Sequence, residues 1–311
     1  MTTDEPRAAG PDYRLRSMLE RGEWVLSAEV DPPRGLSAEA GLRAAAALRE
    51  AGADCVDVGD SPMATVRMSA IAFAARVQQE TGMEAVLHFA SRDRNLMALQ
   101  SDLMGAHMLG LRSAIALSGD PPSLGQYAGA SAVWDVKAEG LIELIATLNA
   151  GRDTAGNEIG GRTAFTIAAA ANPNNPDQEA EMARLRQKAE AGCDVFFTQP
   201  TFDFPAVERF AEHAAAVGRP IVLGVMVLAS ARNARFMAEN VPGIAVSDAI
   251  VERLEAAGDG AADAAVDLAQ EFVEQVRPLC AGVYLIPTLG RLAGTIEVVR
   301  RLRAQSLGGT P

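Results

Sequence analysis

The sequence predicts the α/β fold class and, within it, the (β/α)8 arrangement of a TIM barrel, on three observations. One sequence pattern recurs: an amphipathic segment, then a glycine, then a short apolar run. It is clear in LREAGADCVDV (48–58) and AEAGCDVFFTQ (189–199), and weaker at 107–117 and 215–225. Eight apolar runs of strand length alternate with alanine-rich helical patterns, which is typical of a parallel sheet built from βα units. A doubly wound open sheet, the alternative, should show a Gly-x-Gly-x-x-Gly turn after an early strand, and the chain has none.

Each element follows from a local pattern. Apolar runs rich in β-branched residues predict strands, in chain order at 24–30, 54–59, 84–88, 112–118, 163–169, 194–199, 220–226 and 282–286. Segments of helical period predict the helices between them, at 36–51, 63–80, 93–109, 138–150, 177–191, 203–217, 229–240 and 262–278, with a last one at 291–304. Glycine favours the left-handed conformation that ends a helix, and it follows four of these segments, as Gly52, Gly110, Gly192 and Gly218. Eight units in about 280 residues have the size of such a barrel.

Two connections are longer than a βα unit requires. Residues 118–140 follow the fourth strand, at the end of the barrel where such enzymes hold their chemistry. Residues 149–163 precede the fifth strand, at the opposite end, and are expected to form a polar hairpin or loop. We expect a flexible N-terminal extension at 1–18, a single barrel domain at 19–304 and a C-terminal tail at 305–311.

The bulk composition limits the partners. A formal net charge of -12 argues against nucleic acid and anionic membranes, so a small molecule is the expected ligand. Cys55, Cys193 and Cys280 are far apart and show no zinc spacing, which indicates buried thiols in a reducing compartment. The polar start lacks the apolar core of a signal peptide, and no apolar run has the length of a membrane span. A cytoplasmic protein without a membrane partner is expected.

The first strand carries an acid at its last buried position. Side chains alternate along a strand, so if Trp24 and Leu26 face the helices, Ser27 and Glu29 face the barrel axis, with Glu29 at its mouth. The carboxyl ends of other strands are also polar, whereas an interior built for stability alone would carry Val, Ile or Leu there. This clustering predicts a ligand site. The further polar positions are Asp57, Asp60, His88, Gly119, Asp120, Thr198 and Gln199.

Each polar residue also has a structural alternative. These are an ion pair with an arginine for Glu29, a satisfied core position for His88, helix capping for Asp57 and Asp60, an ordinary turn for 119–122, and backbone hydrogen bonding for Gln199. No His-x-His or Asp-x-Asp pair anchors a metal, so none is expected. The chain has only two lysines, Lys137 and Lys188, and neither ends a strand, which argues against a Schiff-base aldolase.

Four motifs at the strand ends resemble the methylenetetrahydrofolate reductase family. They are AEVDPP (28–33), HFASRDRNL (88–96), SGDPP (118–122) and FTQPTFD (197–203). The resemblance covers residues 20–303 and is strongest to the reductase half of the bifunctional homocysteine S-methyltransferase/methylenetetrahydrofolate reductase proteins, on 92–110 and 171–177. It implies a TIM barrel that reduces 5,10-methylenetetrahydrofolate to 5-methyltetrahydrofolate with NADH or NADPH through bound FAD, and it implies a homo-oligomer.

The resemblance also implies roles for single residues. Glu29 corresponds to the general acid that protonates the bridging nitrogen, and Asp120 to the carboxylate that stabilises the resulting iminium cation. Gln199 corresponds to a side chain that hydrogen-bonds the pterin. Phe236 corresponds to an aromatic that packs on the aminobenzoyl ring or the nicotinamide, and Arg291 to a substrate-binding arginine.

The positions that correspond to flavin contacts are kept less well. They are His88, Ser118, Gly119, Asp120, Ala171 and Lys188. Ser118 stands where better-known members have Arg, Gly59 where they have Thr, Ala171 where they have Tyr, and Gln187 where they have a basic residue. The same reduction by direct hydride transfer without flavin is therefore an alternative. Two others are a pterin-binding barrel that transfers methyl groups to a corrinoid, and a metal-dependent lyase.

Overall fold

Eight parallel strands close into a barrel in which each strand pairs with its neighbours in sequence and the last pairs with the first. The computed structural model describes residues 14–240, 244, 246–288 and 291–308. The predicted (β/α)8 fold is confirmed, and each predicted strand overlaps an observed one. The strands are β1 (Val25–Glu29), β2 (Cys55–Val58), β3 (Glu84–Ala90), β4 (Ser113–Leu117), β5 (Thr166–Ala171), β6 (Val195–Thr198), β7 (Ile221–Val227) and β8 (Gly282–Pro287).

Helices surround the barrel, and two of them were not predicted. The first, at Arg14–Arg21, begins in the expected N-terminal extension and runs past its end, and the other, at Asp248–Ala256, lies in a predicted connection. The helices are α1 (Arg14–Arg21), α2 (Glu39–Ala51), α3 (Ala70–Thr81), α4 (Leu96–Met108), α5 (Ala138–Asn149), α6 (Gln178–Glu190), α7 (Phe204–Val217), α8 (Ala231–Asn240), α9 (Asp248–Ala256), α10 (Ala261–Val276) and α11 (Leu292–Gly308).

The barrel separates two apolar cores, as the alternation along β1 predicts. Leu26, Ala28 and Val30 pack in the outer core against the helices. Val25 packs in the inner core with residues from the other strands, such as Val86. Glu29 therefore faces the barrel axis at the carboxyl end of β1.

The repeated sequence pattern contains an aspartate as well as a glycine, and both have structural roles. Gly52 and Gly192 have φ angles of 104° and 111° and end α2 and α6 in the left-handed region. The aspartate two residues after each glycine accepts a hydrogen bond from a backbone amide of the strand that precedes the helix. Asp54 accepts a hydrogen bond from the Leu26 amide at 2.8 Å, and Asp194 accepts one from the Ile167 amide at 2.8 Å. The helix, glycine, aspartate and strand pattern thus closes one βα unit against its neighbour.

Helix α1 closes the amino end of the barrel. Leu15 and Met18 are buried in the inner core, and the Leu15 amide donates to Glu84 at 2.9 Å. The domain boundary predicted at residue 18 is therefore corrected, because 14–18 belong to the barrel floor. At the other end, α11 continues to Gly308, so the predicted tail begins inside this helix. Residues 1–13 and 309–311 of the predicted extension and tail lie outside the described residues.

The two long connections lie at opposite ends of the barrel. Residues 149–163 form the predicted polar hairpin, in which Arg152 and Glu158 make an antiparallel bridge. The Thr154 amide binds Gln100 of α4 at 2.8 Å. Residues 118–137, here named the strap, lead from the carboxyl end of β4 to α5. None of the described helices combines the length and apolar character needed to cross a membrane.

Candidate active site

Three adjacent strands place titratable side chains at the carboxyl mouth of the barrel. Glu29 and Asp57 are direct register partners on β1 and β2, and His88 lies two residues beyond the inward-facing Val86 on β3. Asp57 is fully buried and accepts a hydrogen bond from the Ser27 hydroxyl. Its second oxygen lies 3.7 Å from Nε2 of His88. The structure thus brings the predicted residues of these strands together.

The site contains buried polar atoms without partners. Among the described residues, Oδ1 of Asp57 and Nε2 of His88 have no hydrogen-bond partner, and the carboxyl group of Glu29 has no hydrogen bond either. Buried polar groups are almost always paired, and leaving one unpaired costs about 1–3 kcal/mol. Oδ1 of Asp57 and Nε2 of His88 face each other at 3.7 Å without a hydrogen bond, which leaves both able to bind a ligand or solvent at the mouth.

Glu29 has the protonation behaviour of a general acid. Burial, and next the negative charge of Asp31, raise its pKa to about 7. Asp31 is held by Arg67, whose guanidinium lies 2.8 Å from its carboxylate and also donates to the Pro32 carbonyl at 2.9 Å. A carboxylic acid with this pKa keeps a substantial protonated fraction at neutral pH and can donate a proton.

His88 lies among three carboxyl groups. Burial lowers its pKa, but Asp57, Glu29 and Asp31 outweigh burial, and the pKa is raised above its ordinary value. In its charged form, His88 balances the buried negative charge of Asp57. Nε2 of His88 makes no hydrogen bond in the described structure and lies 3.7 Å from Asp57, and its role at a ligand stays a prediction.

Tyr284 completes the mouth and was not predicted. It is the register partner of Ser27 on β8, and its ring lies 5.6 Å from that of Phe197. Burial and the charges of Glu29 and Asp57 raise its pKa well above the ordinary value, so the phenol stays neutral. Gly224 makes room for it, since a Cβ there would lie 3.0 Å from the Tyr284 ring and 2.5 Å from the Thr198 carbonyl. The sequence could have predicted this residue, because Tyr284 is a single tyrosine at an inward-facing position of an otherwise apolar strand.

Asp120 lies at the same end of the barrel as Glu29, after β4. Its carboxylate accepts a hydrogen bond from the Met63 amide at 2.7 Å, and its carbonyl accepts one from Arg92 at 3.1 Å. The preceding Gly119 has a φ angle of 80°. A Cβ there would lie 3.0 Å from Cβ of Arg92. The turn at 119–122 is thus fixed against the connections that follow β2 and β3.

The connection after β2 carries unusual backbone strain. Ser61, Met63 and Ala64 have φ angles of 51°, 55° and 48°, a region that costs a residue other than glycine about 1–3 kcal/mol. Such residues concentrate at functional sites. Asp60, predicted near the ligand, has a structural role instead, because it accepts from the Ala90 amide at 3.0 Å and pairs with Arg94 at 2.6 Å.

The three predicted substrate-binding residues lie on connections at the same end of the barrel. Gln199 follows β6, is exposed, and continues the inward alternation of Val195 and Phe197. The backbone amide of Gln199 donates to the Ala171 carbonyl at 2.7 Å. Phe236 lies on α8 after β7 and is 47% exposed, and Arg291 is exposed before α11.

The residues present do not fit the flavin that the resemblance implies. Lys188, expected at its pyrophosphate, is 7% exposed and donates to the Ala170 carbonyl at 2.7 Å. The side chain of Ala171 faces the outer core instead of the mouth. The Ser118 hydroxyl accepts from the Ala138 amide at 3.1 Å, and its carbonyl accepts from Trp134 at 2.7 Å. Of the predicted flavin contacts, His88, Gly119 and Asp120 remain at the mouth.

The described residues include no group of three or more His, Cys, Asp or Glu side chains arranged to hold a metal ion. The acidic and imidazole groups at the mouth are Glu29, Asp31, Asp57 and His88, with Nε2 of His88 3.7 Å from Asp57. The arrangement is suited to proton transfer and to stabilising a cation.

A closed (β/α)8 barrel with a neutral-pKa acid among carboxylates at its carboxyl mouth defines the class of barrel enzymes with an acid–base centre at the strand ends. Within that class, the chain belongs to the methylenetetrahydrofolate reductase family, whose model matches residues 14–302. The family resemblance is confirmed, and the likeness to the bifunctional proteins stays a prediction.

One curated relative is a probable methylenetetrahydrofolate reductase (NADPH) of Caenorhabditis elegans, 25% identical over 225 residues, which are 68% of this chain and 32% of the relative. The chain thus spans about a third of that relative's length. Among solved structures, an uncharacterised protein of Clostridium thermocellum that binds two copies of 5-methyl-5,6,7,8-tetrahydrofolic acid is similar, with a TM-score of 0.65, 12% identity, and coverage of 94% of this chain and 100% of that one.

A 2,3-dimethylmalate lyase of the PEP mutase/isocitrate lyase superfamily is also similar in structure. Its TM-score is 0.54 at 12% identity, and the alignment covers 98% of this chain and 90% of that one. At such identities the two solved structures support the barrel fold alone. The family match over residues 14–302 is the comparison that carries an argument about function.

Proposed function

We propose that the protein reduces 5,10-methylenetetrahydrofolate to 5-methyltetrahydrofolate with a reduced nicotinamide dinucleotide. The observation that carries the proposal is Glu29, an acid with a pKa of about 7 that faces the mouth of a barrel of this family. The reaction consumes one proton and one hydride for each folate, so a proton donor with a neutral pKa is what its chemistry requires.

Glu29 acts on the nitrogen that leaves the methylene carbon. The acid donates its proton to N10 of the folate, the bond between N10 and the methylene carbon breaks, and a cationic 5-iminium group remains. A hydride from C4 of the dihydronicotinamide then reaches the methylene carbon, which becomes the methyl group, and the nicotinamide is oxidised. Solvent returns a proton to Glu29, which closes the balance.

Carboxylates stabilise the cation that forms. Asp120 is fixed by the Met63 amide and the contact of its carbonyl with Arg92, so its negative charge needs little reorganisation. Glu29 itself becomes negative as the folate becomes positive. Gln199, Phe236 and Arg291 would bind the pterin, the aminobenzoyl ring and the acidic tail from the exposed rim.

We assign the hydride directly to NADH or NADPH rather than to FAD, because Lys188 and Ala171 do not reach the mouth and Ser118 is bonded to the strap and α5. The flavin relay is the second candidate, supported by His88, Gly119 and Asp120 and by the family. Homo-oligomerisation and a cytoplasmic location stay predictions from the sequence.

The test uses NADH and NADPH deuterated at C4 and purified protein of known absorption spectrum. We expect oxidation of the nucleotide only with added 5,10-methylenetetrahydrofolate, and deuterium in the methyl group of the product. A flavin absorption band, with deuterium lost to solvent by exchange from reduced flavin, would support the relay. Methyl transfer to a corrinoid without nucleotide oxidation would overturn the reductase proposal.

A further inference from the structure

A cavity of about 300 Å³ lies beside the mouth, outside the site described above. Its walls are formed by the connection after β2, the turn before α4 and the strap. We name it the side cavity, and its main lining residues are Ser61, Thr65, Val66, Arg92, Asp93 and Tyr127. No residue assigned to the folate lines it. Its volume is near the lower end of ligand sites, which is about 300 Å³.

The side cavity is joined to the reaction site through Asp120. Arg92 lines the cavity and donates to the Asp120 carbonyl at 3.1 Å. The strained segment that contains Ser61 and Met63 lines the cavity on one side and binds the Asp120 carboxylate on the other, through the Met63 amide at 2.7 Å. A long ligand with one end at Asp120 can therefore place its other end in the side cavity.

The walls suit a flat aromatic group. Val66, from the connection after β2, and Tyr127, from the strap, both line the cavity and are 57% and 59% exposed. Nothing in the described fold packs against these faces closely enough to bury them. An aromatic heterocycle between a tyrosine ring and an aliphatic side chain would cover both.

The charge exposed in the side cavity is negative. Asp93 binds Arg92 through both of its oxygens, at 2.9 and 2.6 Å. The side chain of Arg92 is 4% exposed and that of Asp93 is 51% exposed. Arg92 also donates to the Ser61 and Asp120 carbonyls, so its donors are largely committed to the protein. Each carboxylate oxygen of Asp93 keeps a second lone pair for a ligand hydroxyl.

We propose that the side cavity binds the adenosine end of the nicotinamide cosubstrate, with Asp93 accepting hydrogen bonds from the ribose hydroxyls. The inference rests on the proposed function and adds the cosubstrate that it leaves open. A carboxylate that receives the 2′-hydroxyl favours NADH, whereas a 2′-phosphate requires an available arginine. Here the phosphate of NADPH would meet the exposed Asp93, with Arg92 already neutralised. The protein is thus specific for NADH.

The test measures binding to the full chain by calorimetry, with ADP-ribose and its 2′-phosphorylated form as probes. It needs no turnover. We expect ADP-ribose to bind at least about tenfold tighter, a difference of about 1.4 kcal/mol. Tyr127→Ala should weaken ADP-ribose binding by a similar factor, and the matched variant Tyr127→Phe should retain it. Equal binding to wild type and Tyr127→Ala, or preference for the phosphorylated probe, would overturn the inference.

A second pair of variants tests the charge. Val66→Arg adds a cation to an exposed loop position, and Val66→Gln adds similar length without charge. We expect only Val66→Arg to bind the phosphorylated probe about tenfold better than wild type does. Equal gains in both variants would contradict the electrostatic argument.

A competition titration distinguishes the two dinucleotides that carry an unphosphorylated adenosine. Displacement of ADP-ribose by NADH supports the assignment, and displacement by FAD but not by NADH overturns it. If the probes bind as expected but no folate is reduced, the proposed function fails and the adenosine site stands.

Discussion

Two glutamates lie inside the same barrel, at opposite ends, and their surroundings differ. Glu84 at the amino end is 1% exposed and accepts hydrogen bonds from the Leu15 amide at 2.9 Å and the Ser113 hydroxyl at 2.6 Å. Glu29 at the carboxyl end is partly buried and, within the described part of the chain, accepts none. Glu84 is thus bonded into the floor of the fold, and Glu29 is left with a proton to exchange. The same residue type serves stability at one end and chemistry at the other.

Replacing Glu29 gives the sharpest test of this difference. Glu29→Gln keeps the shape and removes the acidic proton, so we expect kcat for folate reduction to fall by about 100- to 10,000-fold. The melting temperature should not fall, because no hydrogen bond of Glu29 is lost in the described structure. Steady-state kinetics and thermal unfolding measure the two effects. A variant that loses stability and activity together would make Glu29 a structural residue.

The same replacement at the floor should have the opposite profile. Glu84→Gln turns one acceptor oxygen into a donor that faces the Leu15 amide or the Ser113 hydroxyl. We expect the free energy of unfolding to fall by about 1–3 kcal/mol, measured by urea denaturation, with kcat of the folded protein nearly unchanged. Ser113→Ala is the control, since it removes a donor to the same carboxylate from a neighbouring strand. Unchanged stability in Glu84→Gln would contradict the role of the floor.

Most of the fold could be predicted from the sequence, because strands buried on both faces and glycine-ended helices leave strong local patterns. Helix α1 was not predicted because half of RLRSMLER is charged, and its buried residues Leu15 and Met18 contact an apolar core only in the closed barrel. Helix α9 was not predicted because it lies between two predicted helices and belongs to no βα unit.

The site was predictable where it depends on alternation along a strand, and less so where it depends on distant segments. Glu29 and His88 follow from their positions at strand ends. Arg67, which holds Asp31, comes from the turn before α3 and has no local pattern. Lys188 was expected at a ligand by resemblance, but the structure binds it to a backbone carbonyl, a contact that only the packing of α6 decides.

A smaller effect is expected from pH, which should change the rate through Glu29 at the carboxyl end of the barrel. Folate reduction requires the protonated form of Glu29, whose pKa is about 7. The rate should therefore be constant at acidic pH and fall as the pH rises through 7, by about tenfold for each further unit. The measurement is kcat between pH 5.5 and 9, a range that extends about two units above the pKa of Glu29. A rate that rises with pH through this range would exclude Glu29 as the proton donor.

The smallest effect tests the cause of the raised pKa. Asp31 is the charged group that contributes most to it, after burial. Asp31→Asn removes this repulsion and leaves the Arg67 cation unbalanced, and both changes favour ionised Glu29. The midpoint of the pH profile should move to lower pH by about one unit or less, since one unit is about 1.4 kcal/mol. Asp102→Asn is the matched control, because it breaks the Arg94 pair, 2.9 Å long, on the outer face of α4. An equal shift in both variants would mean that net charge, and not the neighbour of Glu29, sets the profile.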